Sequence, residues 1–219
     1  MKQQADARCV LFDFDGVIAD TERSNAAYLE KALAVFGISL KDELKDALIG
    51  VNSLDVIRPL LDSAEPPVTP EQLAEVRLHQ GNTYENSPNL KAQPGIHNLL
   101  LALRQRGIKT GLVTSTSSRL ILAALNRLSL AGQFDVILCG DMVKKKKPDP
   151  EGYQTALKLL HTKPENCVII EDSPVGILAG LAAGAYVIAY EGGEIQQDTS
   201  LAHTRIASFE ECLDLLFFR

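Results

Sequence analysis

Four apolar runs in this sequence each end in residues that bind cations, phosphates or protons. Cys9-Val-Leu-Phe leads into Asp13, Asp15 and Gly16, and Lys109–Val113 into Thr114, Ser115 and Thr116. Phe134–Leu138 leads into Gly140 and Asp141, then Lys144 to Lys147 and Pro148. Cys167–Ile170 leads into Glu171, Asp172 and Ser173. Several carboxylates in one place repel each other unless a cation or proton intervenes. Oxygen-only ligands favour a hard ion, and magnesium uses a few carboxylates together with substrate phosphate. Asp13, Asp15 and Asp172 are the expected cluster, with a lysine and hydroxyls left to bind phosphate oxygens. Phosphoryl transfer needs mainly positioning and charge neutralisation, which such a set supplies. A carboxylate can itself accept the phosphoryl group. A second carboxyl two residues on lies on the same side of an extended chain and can protonate the leaving oxygen.

The elements that would position these residues alternate. Strands are expected at 9–13, 109–114, 134–138, 167–170 and 186–190, continuous in apolar character as in strands buried on both faces. Between them lie helical stripes with i, i+3, i+4 spacing: Ile96/Leu99/Leu100/Leu103, Ile121/Ala124/Leu125/Leu128, Tyr153/Ala156/Leu157/Leu160 and Ile177/Leu178/Leu181/Ala182. Gly107, Gly132 and Gly184 follow three of them, where helices commonly end. The pattern predicts a doubly wound α/β fold with a mostly parallel sheet, whose ligands bind at the carboxyl ends of the strands. One stretch breaks the alternation. Tyr28, Leu29, Ala32, Leu33 and Phe36 form a stripe closed by Gly37. Further helices are expected near 41–49, 53–61 and 70–85, interrupted by Pro66, Pro67 and Pro70. Residues 19–91 therefore read as an inserted all-helical domain, with 1–18 and 92–219 as the α/β core.

The chain has 219 residues, 46% hydrophobic and 23% charged, with a net charge of −6. That balance fits a soluble globular protein and gives no indication of a nucleic-acid or anionic-membrane partner. No run approaches the roughly 20 apolar residues of a membrane helix, and Met1–Arg8 lacks a signal-peptide core. Cys9, Cys139, Cys167 and Cys212 form no CxxC pair, so buried free thiols in a reducing cytoplasm are expected.

The segment Asp13-Phe-Asp15-Gly-Val-Ile-Ala-Asp20-Thr-Glu22 resembles the first motif of haloacid-dehalogenase-type phosphatases and phosphomutases. Val113-Thr-Ser115, Lys147-Pro-Asp-Pro150 and Ile170-Glu-Asp-Ser-Pro-Val-Gly176 resemble the second, third and fourth, in the same order. The resemblance spans about residues 9–190. It implies a Rossmann-like core under a helical cap, with Asp13 as nucleophile and metal ligand. Asp15 would be the general acid/base, its carbonyl touching the metal. Thr114, Ser115 and Lys147 would bind phosphate. Asp172 would hold magnesium, with Glu171 direct or through water.

Other residues have plainer readings. Asp20 is read as a helix N-cap. Asp141 reads equally as a turn residue, and Ser173 equally as an N-cap. Lys144 to Lys146 read as a solvated face, and the four histidines are scattered. The expected activity is magnesium-dependent hydrolysis of a small phosphomonoester, a phosphosugar or related metabolite. The alternative is a hexose-phosphate mutase resembling β-phosphoglucomutase. The layout, including Gly50-Val51, resembles that enzyme. Around its Gly-Val-Ser-Arg loop, however, the mutase is basic where this chain has Ile49-Gly-Val-Asn-Ser53, and Asn25 aligns with a mutase histidine. A mutase must grip a second phosphate, which favours the phosphatase, although Arg58, Arg77 or His79 could substitute. Asn25, Asn52, Ser53, Arg58 and Arg77 are the candidate substrate residues of the cap. A retained Asp15 speaks against dehalogenation, and intact motifs speak against a non-catalytic role. A monomer and a dimer are both compatible with a chain of this size.

Overall fold

The computed structural model describes residues 7–41, 44 and 53–217. It divides into two compact units, 1–20 with 91–219 and 21–90.

The larger unit is built on a six-stranded parallel sheet. Its strands are β1 (Cys9–Phe12), β2 (Lys109–Val113), β3 (Val136–Leu138), β4 (Cys167–Glu171), β5 (Tyr186–Tyr190) and β6 (Thr204–Ile206), in the order β3-β2-β1-β4-β5-β6. The chain winds outward from β1 to β3, then crosses back to the other side of β1. This is the doubly wound arrangement, with its switch of direction beside β1. Five of the strands were expected. β6 was not, and β3 is shorter than expected, leaving Phe134 and Asp135 outside it.

Side chains alternate across the sheet. Cys9, Leu11, Cys167, Ile169, Val187 and Ala189 form one buried layer with Tyr153, Ala156, Leu157 and Leu160 of α6 (Glu151–Leu159 and its cap) and with Ile177 and Ala179 of α7 (Pro174–Ala182). Val10, Phe12, Val168, Ile170 and Ile188 occupy the alternate positions and are equally buried. The helices α4 (Ile96–Gln105), α5 (Ser118–Arg127) and α8 (Phe209–Phe217) complete this unit. The Tyr190 and Phe209 rings stack at 4.5 Å and tie β5 to α8. Gly107 and Gly184 follow their helices with positive φ. The stripe before Gly132 ends sooner, because Ser129 takes the left-handed conformation at φ 58°. All four cysteines are free and buried.

The smaller unit contains α1 (Glu22–Ala34), α2 (Ser53–Asp62) and α3 (Pro70–Gln80). Leu29, Ala32, Leu33, Leu40, Ile57, Leu61, Val68 and Leu73 form its core. Pro70 does not interrupt a helix but opens one. Thr69 caps α3 by accepting from the Gln72 N–H, while the Gln72 side chain accepts from the Thr69 N–H. Most of the helix expected at 41–49 lies outside the described residues.

Ile169 sits at the middle of β4 with no exposure. Ile169→Ala should cost about 2–5 kcal/mol through lost burial and the cavity left behind. A denaturant titration of the parent and the variant measures it.

Candidate active site

Parallel register brings the ends of the central strands level. Phe12 pairs with Leu112 on one side and with Ile170 on the other, so the next residue, Asp13, emerges between the ends of β2 and β4. Its N–H donates to Ile170 O at 3.0 Å. The chain then turns tightly, with Ile18 and Ala19 N–H both donating to Phe14 O. Gly16 is needed here on two counts. Its φ is +82°, and a Cβ would stand 1.9 Å from Asp172 Oδ2.

Lys147 reaches this point from the loop after β3. Its ammonium donates to Asp13 Oδ1 at 2.5 Å, Glu171 Oε1 at 2.5 Å and Val113 O at 3.0 Å. The Glu171 carboxylate is fully buried. Its Oε1 also accepts from the Tyr153 hydroxyl at 2.7 Å. Its Oε2 accepts from Asp172 N, Ser173 N and Ser173 Oγ. Asp172 lies beside them: Asp13, Glu171 and Asp172 each present a carboxylate oxygen within 4.8 Å of the others.

The electrostatics follow from burial. Desolvation pushes the Asp13 carboxyl up to about 7. Lys147 opposes that shift, while Glu171 and Asp15 add to it. Burial alone would lower Lys147, but the flanking Asp13 and Glu171 hold it well above its ordinary value. Burial, then Glu171, likewise raises Tyr153, which stays a neutral donor. The set therefore holds one cation against three clustered carboxylates, and its oxygen-only composition suits a hard divalent ion.

The hydroxyl-bearing end of β2 is adjacent. Thr114 is buried, and its Oγ1 accepts from Thr116 N at 3.1 Å. Ser115 is exposed. Thr116 donates its hydroxyl to Asp15 Oδ2 at 2.8 Å.

The sequence profile of the haloacid dehalogenase-like hydrolases matches residues 10–190. The chain belongs to this family. It is 35% identical over 175 residues to a phosphorylated carbohydrates phosphatase of Thermotoga maritima, covering 80% of this chain and 81% of that one. It is 28% identical over 193 residues to a β-phosphoglucomutase of Bacillus subtilis, covering 85% and 84%. The crystal structure of CbbY from Rhodobacter sphaeroides in complex with phosphate superposes with a TM-score of 0.77 at 26% identity, over 94% of this chain and 96% of that one.

Within this hydrolase core, Asp13, Glu171, Asp172 and Lys147 meet as one cluster, and Thr116 links Asp15 to the end of β2. Several plainer readings resolve. Ser173 is the N-cap of α7, accepting from Gly176 N. Asp141 accepts both the N–H and the hydroxyl of Ser118, at the first turn of α5. Lys144, Lys145 and Lys146 are exposed. Asp20 is not the helix cap it was expected to be. Thr21 holds that position, and the Asp20 carboxylate instead accepts from Glu194 N.

In the smaller unit, Asn25 on α1 donates to the Tyr84 hydroxyl at 3.2 Å. Arg58 on α2 lies near Glu71, whose lowered pKa comes first from backbone hydrogen bonding, with Arg58 a lesser contributor. Arg77 is on α3, within electrostatic reach of Tyr84. Ser53 opens α2, and Asn52 lies outside the described residues. Sequence reasoning read Tyr153 only as a core position and Thr116 only as one of the hydroxyls at the end of β2, without its bond to Asp15. A buried tyrosine needs a partner for its hydroxyl, and that rule could have pointed from Tyr153 to the nearby acids.

Because the folded Asp13 pKa lies above its unfolded value of 3.8, its favourable contribution is complete below about pH 4. That contribution is lost as pH rises through about 7. In chelator, Asp13→Asn should therefore be more stable than the parent above pH 7, with the gap closing toward pH 4. Denaturant midpoints across that range test it.

Proposed function

We propose that this hydrolase is a magnesium-dependent phosphatase of a small phosphorylated metabolite, a phosphosugar or a close relative, acting through an aspartyl-phosphate on Asp13. The observation that carries the reading is the Lys147 ammonium seated between Asp13 and Glu171, beside Asp172. It pairs a nucleophilic carboxylate with the positive charge a phosphoryl group needs.

Asp13, Asp172 and the Asp15 carbonyl would hold the ion, with Glu171 at its edge. Glu171 is a poor direct ligand, since both its oxygens already accept hydrogen bonds. Bound magnesium supplies charge neutralisation for the carboxylates and the phosphoryl oxygens together.

The remaining steps belong to the protein. An Asp13 oxygen attacks phosphorus, and the bond to the substrate oxygen breaks. Asp15 gives that oxygen a proton, so the alcohol leaves neutral. Asp15, held by Thr116, then takes a proton from water, whose oxygen attacks phosphorus as the bond to Asp13 breaks. Phosphate leaves and Asp13 is restored. Thr114 and the Ser115 N–H hold the phosphoryl oxygens throughout, and Lys147, whose three donors go to Asp13, Glu171 and Val113 O, supplies positive charge beside them. Residues 19–91 act as the cap of the family, with Asn25, Asn52, Ser53, Arg58 and Arg77 as its candidate selectors of substrate.

The name of the Thermotoga maritima relative supports a sugar phosphate as substrate. The Bacillus subtilis mutase supports a second reading, in which a sugar hydroxyl replaces water as the acceptor.

Phosphate release from a panel of phosphorylated sugars, with and without magnesium, tests both. The expected result is magnesium-dependent release that falls at least about a thousandfold in Asp13→Asn, as for loss of a nucleophile. Release that persists in that variant would sink the covalent route. No release from any sugar, with interconversion of β-glucose 1-phosphate and glucose 6-phosphate, would select the mutase.

A further inference from the structure

We infer that Gln197 is a positioning residue for the metal site, presented by a loop whose internal bonding fixes it against Asp172. The inference rests on the reading of Asp172 as a metal ligand.

Residues 191–199 follow β5, and their sequence suggests only a loop. In the structure the loop is tied down along its length. Glu191 accepts from the Thr199 hydroxyl and pairs with Arg205 at 3.6 Å. Gln196 bridges Glu191 O at 2.9 Å and Gly193 O at 3.0 Å. Glu194 N–H donates to Asp20 Oδ2 at 3.1 Å. The loop is thus closed on itself and pinned to the chain that leaves the catalytic turn.

From this support the Gln197 amide donates to Asp172 Oδ2 at 3.2 Å. The same oxygen packs over Gly16, where a Cβ would come within 1.9 Å. One oxygen of the carboxylate is therefore held from two directions, which fixes its plane and hence the direction of the other oxygen. The chemical type of the donor matters. A lysine or arginine here would neutralise the carboxylate and compete with a divalent ion. A neutral amide orients Asp172 and leaves its full charge for the metal. Partners of this kind are worth about 10–100-fold in metal affinity where they have been removed.

The test is calorimetric titration of the whole protein with Mn2+ and Mg2+, comparing the parent, Gln197→Leu and Asp172→Ala. Leucine keeps the bulk and removes the donor. Gln197→Leu is expected to bind the ions about 10-fold more weakly. Its melting temperature in chelator should match the parent's, and saturating magnesium should restore its kcat, so that the loss appears as a higher magnesium requirement. Unchanged affinity in Gln197→Leu, with binding lost in Asp172→Ala, would overturn the role of Gln197 alone. A melting temperature in chelator lowered in step with affinity would reduce Gln197 to a structural contact and also overturn it. Parent-like binding by Asp172→Ala would overturn the metal assignment, and the inference with it.

Discussion

The site depends on one buried arrangement, the Lys147 ammonium between the Asp13 and Glu171 carboxylates. Each of these ions would cost several kcal/mol to bury alone. Together they are tolerable, because Lys147 contacts both carboxylates at 2.5 Å and also Val113 O. The three come from distant parts of the chain: Asp13 and Lys147 are 134 residues apart, and Lys147 and Glu171 are 24. Only the finished sheet brings them together, since β1 must lie between β2 and β4 in the observed register. Fold and site are therefore one problem here. The doubly wound order is what places the two carboxylates side by side, and the loop after β3 is what returns the counter-charge.

The carboxylates are not equivalent, and their hydrogen bonds separate their roles. Glu171 has no exposure and is saturated by Lys147, Tyr153, Ser173 and two backbone N–H groups. A carboxylate bonded in this way is an anchor. It fixes Lys147 on one side and the first turn of α7 on the other. Gly176 permits the close approach, since a Cβ there would sit 1.9 Å from Glu171 Oε1. Asp13 has the opposite character. Burial raises its pKa despite Lys147, so its charged form is held at a cost. Added positive charge would relieve that cost. This is the physical reason a divalent ion and this residue set belong together, independent of any motif.

Much of this was legible in the sequence. The strands buried on both faces are uninterrupted apolar runs, and the chemistry-bearing residues follow them directly, so their convergence could be read from fold rules alone. The parts that could not be read have identifiable causes. β6 is only Thr204-Arg-Ile206, too short and polar to carry a strand signal. The α5 stripe ends at Ser129, because an L-residue took the left-handed conformation expected of a glycine. Asp20 has the residue type and position of an N-cap, yet its partner, Glu194, is 174 residues away. Gln197 and Thr116 acquire their meaning the same way, from acceptors that are remote in sequence and carry no local pattern. The Ser173 cap, with its partner three residues on, is the kind of contact that sequence does reveal.

The choice between water and a sugar hydroxyl as acceptor is not made by this core. On the proposed mechanism both reactions would use the same nucleophile, the same lysine and the same acid/base, with Asp15 held by Thr116 facing either acceptor. What a mutase needs in addition is positive charge for a second phosphate. One of the candidate groups of the smaller unit is already engaged: the Asn25 amide donates to the Tyr84 hydroxyl. A neutral amide is in any case a weaker phosphate partner than the histidine that resemblance to the mutase would require at that position. Asn25 brings no positive charge to a second phosphate, where resemblance to the mutase would imply a histidine. In the proposed reading it is this difference in charge, rather than the catalytic core, that favours water as the acceptor.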